Sequence, residues 1–430
     1  MTSKFTWQIV RYLKKVWVRV VSFALLAVMT AIIAQIVAPL ISSEWTVKIG
    51  ADAVDQVLNI LASSMLAVTT FSLAIAISAF AAAASTATPR ATALLQEDAT
   101  AQNVLATFLG AFLFSLVGII ALQAGYYTNA GRLVLFVMTG AVIAAVVVAL
   151  LRWISHLMTF GRMGDTLDRV EAAAKESLRH RLESPFLRGR PLLTAVPSTC
   201  VSVLSKEIGY VQHVDVSKLE ACANDLKSKI WLCALPGAFL HDAKALLHVE
   251  REVHDDDALQ RLRSAFTIGA ERSFDQDPRF GLIVIAEIAS RALSPAVNDP
   301  GTAISVVGRL VRILAQWNED PGAEIEFQSV FVPPVNSADL LDDAFRPIVR
   351  DGAALLEVQI RIQKALHALA ELSPAVFAVP AAALATEARS RVQETLTETE
   401  YRLLTEVPAL RSEQPEQPKP HRSVSSSHAL

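Results

Sequence analysis

Four long runs without a charged residue dominate the first third of the chain. VVSFALLAVMTAIIAQIVAPL lies between Arg19 and Glu44, and ILASSMLAVTTFSLAIAISAFAAAA between Asp55 and Arg90. ATFLGAFLFSLVGIIALQAG follows between Asp98 and Arg132, and LVLFVMTGAVIAAVVVALL between Arg132 and Arg152. A helix needs roughly 20 apolar residues to cross the hydrocarbon of a bilayer, and its backbone groups must pair within the segment. Each run therefore predicts a transmembrane helix. The pattern gives a cytoplasmic N-terminus over 1–17 and a four-helix transmembrane domain over 18–156. The first run follows Arg11, Lys14, Lys15 and Arg19, as a secretory signal would. Its core is long, no small-residue cleavage site ends it, and three further runs follow, so it reads as a retained span.

The pattern then changes. Residues 157–194 contain an amphipathic connector, with MGDTLDRVEAAAKESLRHRLE predicted as a helix from Met163 to Glu183. Arg179, His180 and Arg181 on it are placed to touch anionic lipid. Short apolar runs broken by Gly and Pro fill 195–274: VSVL, GYVQHV, IWLCAL, AKALLHV and the stretch from Thr267 to Ser273. These predict a β-rich module with a helix over Leu219 to Ser228 and a Pro236-Gly237 turn entering a strand. From 275 to 406 the period is helical. One helix carries Phe280, Ile283, Ile285, Ile288 and Leu293 on its apolar face. The next carries Ile304, Val307, Leu310, Val311 and Leu314. EFQSVFVP predicts a strand, and helices follow near Ala338 to Arg350, Ala353 to Leu372 and Pro380 to Leu404. Residues 407–430 hold too little apolar material to fold and are expected to be disordered. The predicted fold class is a multi-pass α-helical membrane domain followed by a cytoplasmic α+β domain.

Charge sets the orientation. Basic residues flank the first run on its N-terminal side, and Arg152, Arg162 and Arg169 follow the fourth. Both termini are therefore expected in the cytoplasm of a bacterial inner membrane. Tyr126, Tyr127 and Trp45 would lie near the outer interface and Trp153 near the inner one. With 39 Lys and Arg against 42 Asp and Glu, the net charge of −3 gives no reason to expect nucleic acid as a partner. The three cysteines, Cys200, Cys222 and Cys233, form no CxxC pair, so neither a disulfide framework nor a zinc site is predicted.

Candidate chemistry is sparse. The second run carries Ser64, Thr69, Ser72 and Ser78, hydroxyls suited either to close helix packing or to lining a pore. No charged residue interrupts a span core, which gives proton-relay transport no support. Pro89 should stop the second helix and Arg90 anchor it at the inner headgroups. His248 and His254 with Asp255, Asp256 and Asp257 match no metal template and read as a solvated turn or helix cap. No cofactor motif occurs, and no nucleophile stands paired with a base, so an enzyme is not expected. The densest polar segments are GAERSFDQDP and RALSPAVNDP, flanking one apolar helix. They place Arg272, Gln276 and Asp277 near one end of that helix and Arg291, Asn298 and Asp299 near the other. Both a structural role in buried ion pairs and a ligand-binding role are open, and Asp299 is suited to cap the following helix.

At these residues the chain resembles a bacterial family of predicted membrane proteins, DUF2254. The resemblance is carried by Arg272 to Gly281, by Ile288 to Pro295 and by Asn298 to Ala303. Gly209-Tyr210-Val211, Pro236-Gly237 and Pro89-Arg90 match as well. Ala296 and Val297 stand where the family commonly has a Gly-Ile pair, and His241-Asp242-Ala243 where it often has a second glycine. The resemblance implies a multi-span membrane protein and supplies neither substrate nor catalytic residue. Two readings follow. In one, a homo-oligomeric channel admits an unknown solute, with the cytoplasmic domain as gate. In the other, a membrane-anchored scaffold or sensor binds a protein or small ligand through the segment from Arg272 to Thr302.

Overall fold

The computed structural model describes residues 16–37, 51–96, 98–317 and 324–408. The chain divides into two compact units, 1–169 and 170–430.

The first unit is a helical bundle of α1 (Val16–Val37), α2 (Ala51–Thr86), α3 (Pro89–Gln96), α4 (Ala99–Gln123) and α5 (Asn129–Leu157), followed by the start of α6 (Met163–Glu183). Among the described residues, three helices are long and apolar enough to cross a membrane, over Val54–Ser85, Ala99–Gln123 and Ala130–Leu157. The apolar stretch of α1, Val20–Ile36, is shorter than these. α4 is the central helix, packing on α1, α2 and α5. Phe108, Ala111 and Phe114 on it meet Leu58, Met65, Leu135 and Val142 in one apolar cluster. Gly110 permits the closest approach, because a Cβ there would overlap the Phe23 ring of α1. Asp98 and Thr128 cap α4 and α5, each accepting a backbone N–H of the first turn.

α2 ends at Thr86, short of Pro89 as expected, and two further details go beyond the sequence expectation. Pro89 opens the short helix α3, where its missing N–H costs nothing and its fixed φ suits the first helical position. α5 extends past both arginines that bracket its apolar run, so Arg132 and Arg152 lie within the helix. The expected first external loop and Trp45 fall mostly outside the described residues, as do most of the 1–17 segment and the tail.

In the second unit, two sheets and a set of helices share the chain. A five-stranded sheet has the order β1 (Arg190–Pro191), β8 (Val330–Val332), β4 (Ile230–Leu232), β6 (Ala245–Val249), β2 (Val201–Leu204). A three-stranded sheet has β3 (Gly209–Val214) between β5 (Phe239–Leu240) and β7 (Phe266–Gly269). α7 (Val216–Leu226) and α8 (Asp256–Ser264) contribute Leu219, Cys222 and Leu262 to their common core. The five-stranded sheet extends beyond 195–274: β1 precedes that range, and β8 inserts in parallel between β1 and β4. The remaining helices are α9 (Phe280–Ala292), α10 (Pro300–Leu314), α11 (Ser337–Asp351), α12 (Leu356–Leu372), α13 (Pro374–Val392) and α14 (Glu398–Thr405). The last predicted helix is thus two, and Pro380 lies inside the first of them. Burial on α10 centres on Val306, Leu310 and Ile313, leaving Ile304 and Val311 half-buried.

Candidate functional site

Three groups of residues merit comparison: the outward face of α2, an ion cluster at one end of the bundle, and the polar segments around α9.

On α2, Ser63, Ala67, Thr70, Ala74, Ser78, Ala81 and Ser85 are all exposed, at spacings of four and three that keep them on one helix face. Ser64 is exposed at the margin of this stripe. Thr69 is half-buried, and Ser72 is 2% exposed within the bundle. The stripe hydroxyls donate back to their own helix: Ser63 to the Asn59 carbonyl at 2.9 Å, Thr70 to Ala67 at 2.9 Å, Ser78 to Ala74 at 3.0 Å and Ser85 to Ala82 at 2.7 Å. Their donors are satisfied without a partner helix, while the oxygens of these exposed residues keep acceptor capacity. Ser63 and Thr70 are among the hydroxyls of this run in the sequence, but neither they nor Ser85 are singled out there for a path, because periodicity alone does not say which face of so apolar a helix turns inward.

At the other site, Asp98 is 7% exposed and collects three partners. Its Oδ1 caps Ala101 N at 2.6 Å, Oδ2 receives Arg169 Nη1 at 2.5 Å, and His156 Nε2 lies 3.0 Å from Oδ1. The His156 contact is close but misaligned for a hydrogen bond. Arg169 also bonds Asp165 at 2.9 Å. Aromatic rings close the cluster: Phe160 lies 4.9 Å from the His156 ring and 5.7 Å from the Arg169 guanidinium, with Trp153 beside His156. The first residue before α4, the last turn of α5 and the second turn of α6 are thereby tied at one point. A capping Asp before an apolar run was legible in sequence. Its meeting with residues 58 and 71 positions away was not.

The polar segments around α9 are held inside the second unit. Arg272 pairs with Asp277 at 2.7 Å, and its guanidinium lies over the Phe280 ring at 5.5 Å. Gly237, at φ +91°, packs against this pair so tightly that a Cβ would overlap both Asp277 and Arg272. Gln276 accepts from Val214 N at 2.9 Å through its side chain and from Arg181 at 3.1 Å through its carbonyl. Arg181 is consequently buried, contrary to its expected place at a lipid surface. Burial is also what pushes the Asp277 carboxyl up, against the pull of Arg272. At the far end of α9, Asp299 caps α10, accepting from Thr302 N at 3.0 Å and its hydroxyl at 2.6 Å, which holds the carboxyl below its ordinary value. Asn298 takes the left-handed conformation at φ +50°, so the turn is made there and not at Ala296 or Val297. Arg291 is half-buried on α9, and the two ends of the helix do not converge on one site. Of the acidic run, Asp255 caps α8 by accepting from Asp257 N at 3.1 Å.

Uncharacterized proteins of Mycobacterium bovis and Mycobacterium tuberculosis are each 31% identical to the chain over 223 residues, which is 50% of this chain and 42% of the relative. The matched stretch thus spans less than half of those curated relatives. No solved structure matches. A family model described as "Predicted membrane protein (DUF2254)" matches residues 14–368, across both units, and the chain belongs to that family.

Proposed function

We propose that this protein is an inner-membrane channel in which four membrane-crossing helices per subunit assemble with other copies through α2, and the second unit serves as a cytoplasmic gate. One observation carries the reading. The small, hydroxyl-bearing stripe from Ser63 to Ser85 faces away from the chain's own bundle. Small residues allow backbones to approach closely in lipid, and a single four-helix subunit encloses little space for a solute. Closure of several copies about a symmetry axis would turn these hydroxyl oxygens toward a shared path. Positive residues at both flanks of the membrane domain support cytoplasmic termini, with α1 as the first of the four spans. The scaffold reading is less favoured at Arg272, Gln276 and Asp277, which bond within the second unit, and rests on the exposed residues 295–299 at the far end of α9.

The test is flux of potassium and chloride through liposomes containing the purified full chain, with oligomer mass measured in the same preparation. A defined oligomer that conducts, and that loses both properties on Ala74→Leu, supports the reading. A well-folded monomer that passes neither ion overturns it.

A further inference from the structure

Arg181 lies on the inward face of α6, one helical turn beyond Ser177. It is 3% exposed, and Nη2 donates to the Gln276 carbonyl at 3.1 Å. Its Nε and Nη1 are buried with no hydrogen-bond partner among the described residues, and so is the hydroxyl of Ser177. Gln276 ties the same point to the small sheet, since its side chain accepts from Val214 N. On the adjoining strand, Thr267 carries another buried hydroxyl without a hydrogen-bond partner, in register with His213 beside Val214. Buried donors left unmade cost the full desolvation of each group, so the two unmet donors of Arg181, with Ser177 one turn away, call for an acceptor.

Charge narrows what that acceptor is. The carboxylate that acts on Arg181 is Asp277, already bonded by Arg272 at 2.7 Å and by Arg279 N at 3.1 Å. Two guanidinium groups, Arg181 buried and Arg272 19% exposed, therefore share at most one negative charge. Burial pushes Arg181 down to about 10, which still leaves it charged at neutral pH. Water would meet the donors and leave the surplus charge, whereas an anion meets both. One surplus positive charge matches a single negative charge, and tight burial restricts the size.

We propose that Arg181, with Ser177, forms an internal binding site for a small monovalent inorganic anion of about chloride size, held as a structural ligand of the second unit. The site is separate from the α2 stripe and stands whether or not the protein conducts.

The test is thermal unfolding of the full-length protein in detergent, titrated with sodium chloride, bromide or gluconate at constant ionic strength. The midpoint should rise saturably with chloride and bromide and stay flat with gluconate. Arg181→Met, which keeps the volume and removes the charge, should abolish the difference. Ser177→Ala should weaken the apparent bromide affinity by about tenfold, the loss expected for one hydrogen bond to a charged group. If Arg181→Met does not fold, the Ser177→Ala titration decides, and an unchanged affinity there overturns the proposal. Equal midpoints in all three salts for the unaltered protein overturn it as well.

Discussion

Glu171 shows how one side chain's environment sets a measurable pH dependence. It is buried on α6 and receives Arg309 at 2.7 Å, Arg312 at 2.8 Å and Lys175 at 2.8 Å. Burial works to raise its pKa, but the bonds from Arg312 and Lys175 outweigh it and hold the carboxyl at about 2, against an ordinary 4.5. A depressed carboxyl stabilises the fold fully above the unfolded pKa, and that contribution is lost as pH falls through the folded one. The difference corresponds to about 3 kcal/mol. Between about pH 5 and about pH 2, Glu171→Gln should therefore flatten the decline of the unfolding midpoint while lowering it at neutral pH. An equally steep decline in the variant would show that other carboxyls dominate. Gly237 makes a second residue-scale case. Its φ of +91° and its contact with Asp277 and Arg272 leave a methyl group no room. Gly237→Ala should cost about 1–3 kcal/mol, read as a lower midpoint in the same unfolding assay.

Elements show where sequence suffices and where it does not. α10 was legible because its start is written locally: Asp299 accepts from the first turn, Pro300 stands at the first helical position, and an apolar period follows. Asp299→Ala should lower stability by about 1 kcal/mol, and Asp299→Ser should recover most of it, since a hydroxyl also caps. Equal losses for both would mean the carboxylate charge matters more than the cap. β8, by contrast, was predicted as a strand but not as the neighbour of β4 and β1, since strand partners far apart in sequence leave no local trace. The two-residue β1 is too short to show a period at all. The Asp98 cluster has the same character. Asp98 reads as a cap, yet its ties to His156 and Arg169 depend on how three helices end together. Asp98→Asn keeps an oxygen for Ala101 N but removes the charge facing Arg169. If the cluster holds the end of α6 to the bundle, limited proteolysis between residues 157 and 169 should accelerate in this variant. Unchanged cleavage would reduce the cluster to a helix cap.

For the whole molecule, the orientation of α2 decides what the bundle is for. An all-apolar helix gives no moment to read, so the sequence left Ser64, Thr69, Ser72 and Ser78 as equal candidates for a path. Packing against α4 breaks that tie: Ser72 turns inward, whereas Ser78 turns outward with Thr70 and Ala74. Within a lipid-solvated subunit, such a stripe forgoes the contacts that larger side chains would make. In an assembly it is the face that lets backbones meet. Disulfide trapping distinguishes the two. In a background with Cys200, Cys222 and Cys233 replaced, single cysteines at 67, 70, 74, 78 and 81 should cross-link subunits in membranes on mild oxidation. A cysteine at 72 should not, because its Cβ points into its own bundle. The yield should follow the helical spacing of four and three, since only one face meets the partner. Equal trapping at position 72, or none along the stripe, would place the subunit contact elsewhere and remove the path from α2. Trapping with the predicted period would leave acceptor oxygens lining the axis, their hydrogens spent on backbone carbonyls. A path of that kind should pass potassium more readily than chloride, and reversal potentials across a potassium chloride gradient would read the sign directly.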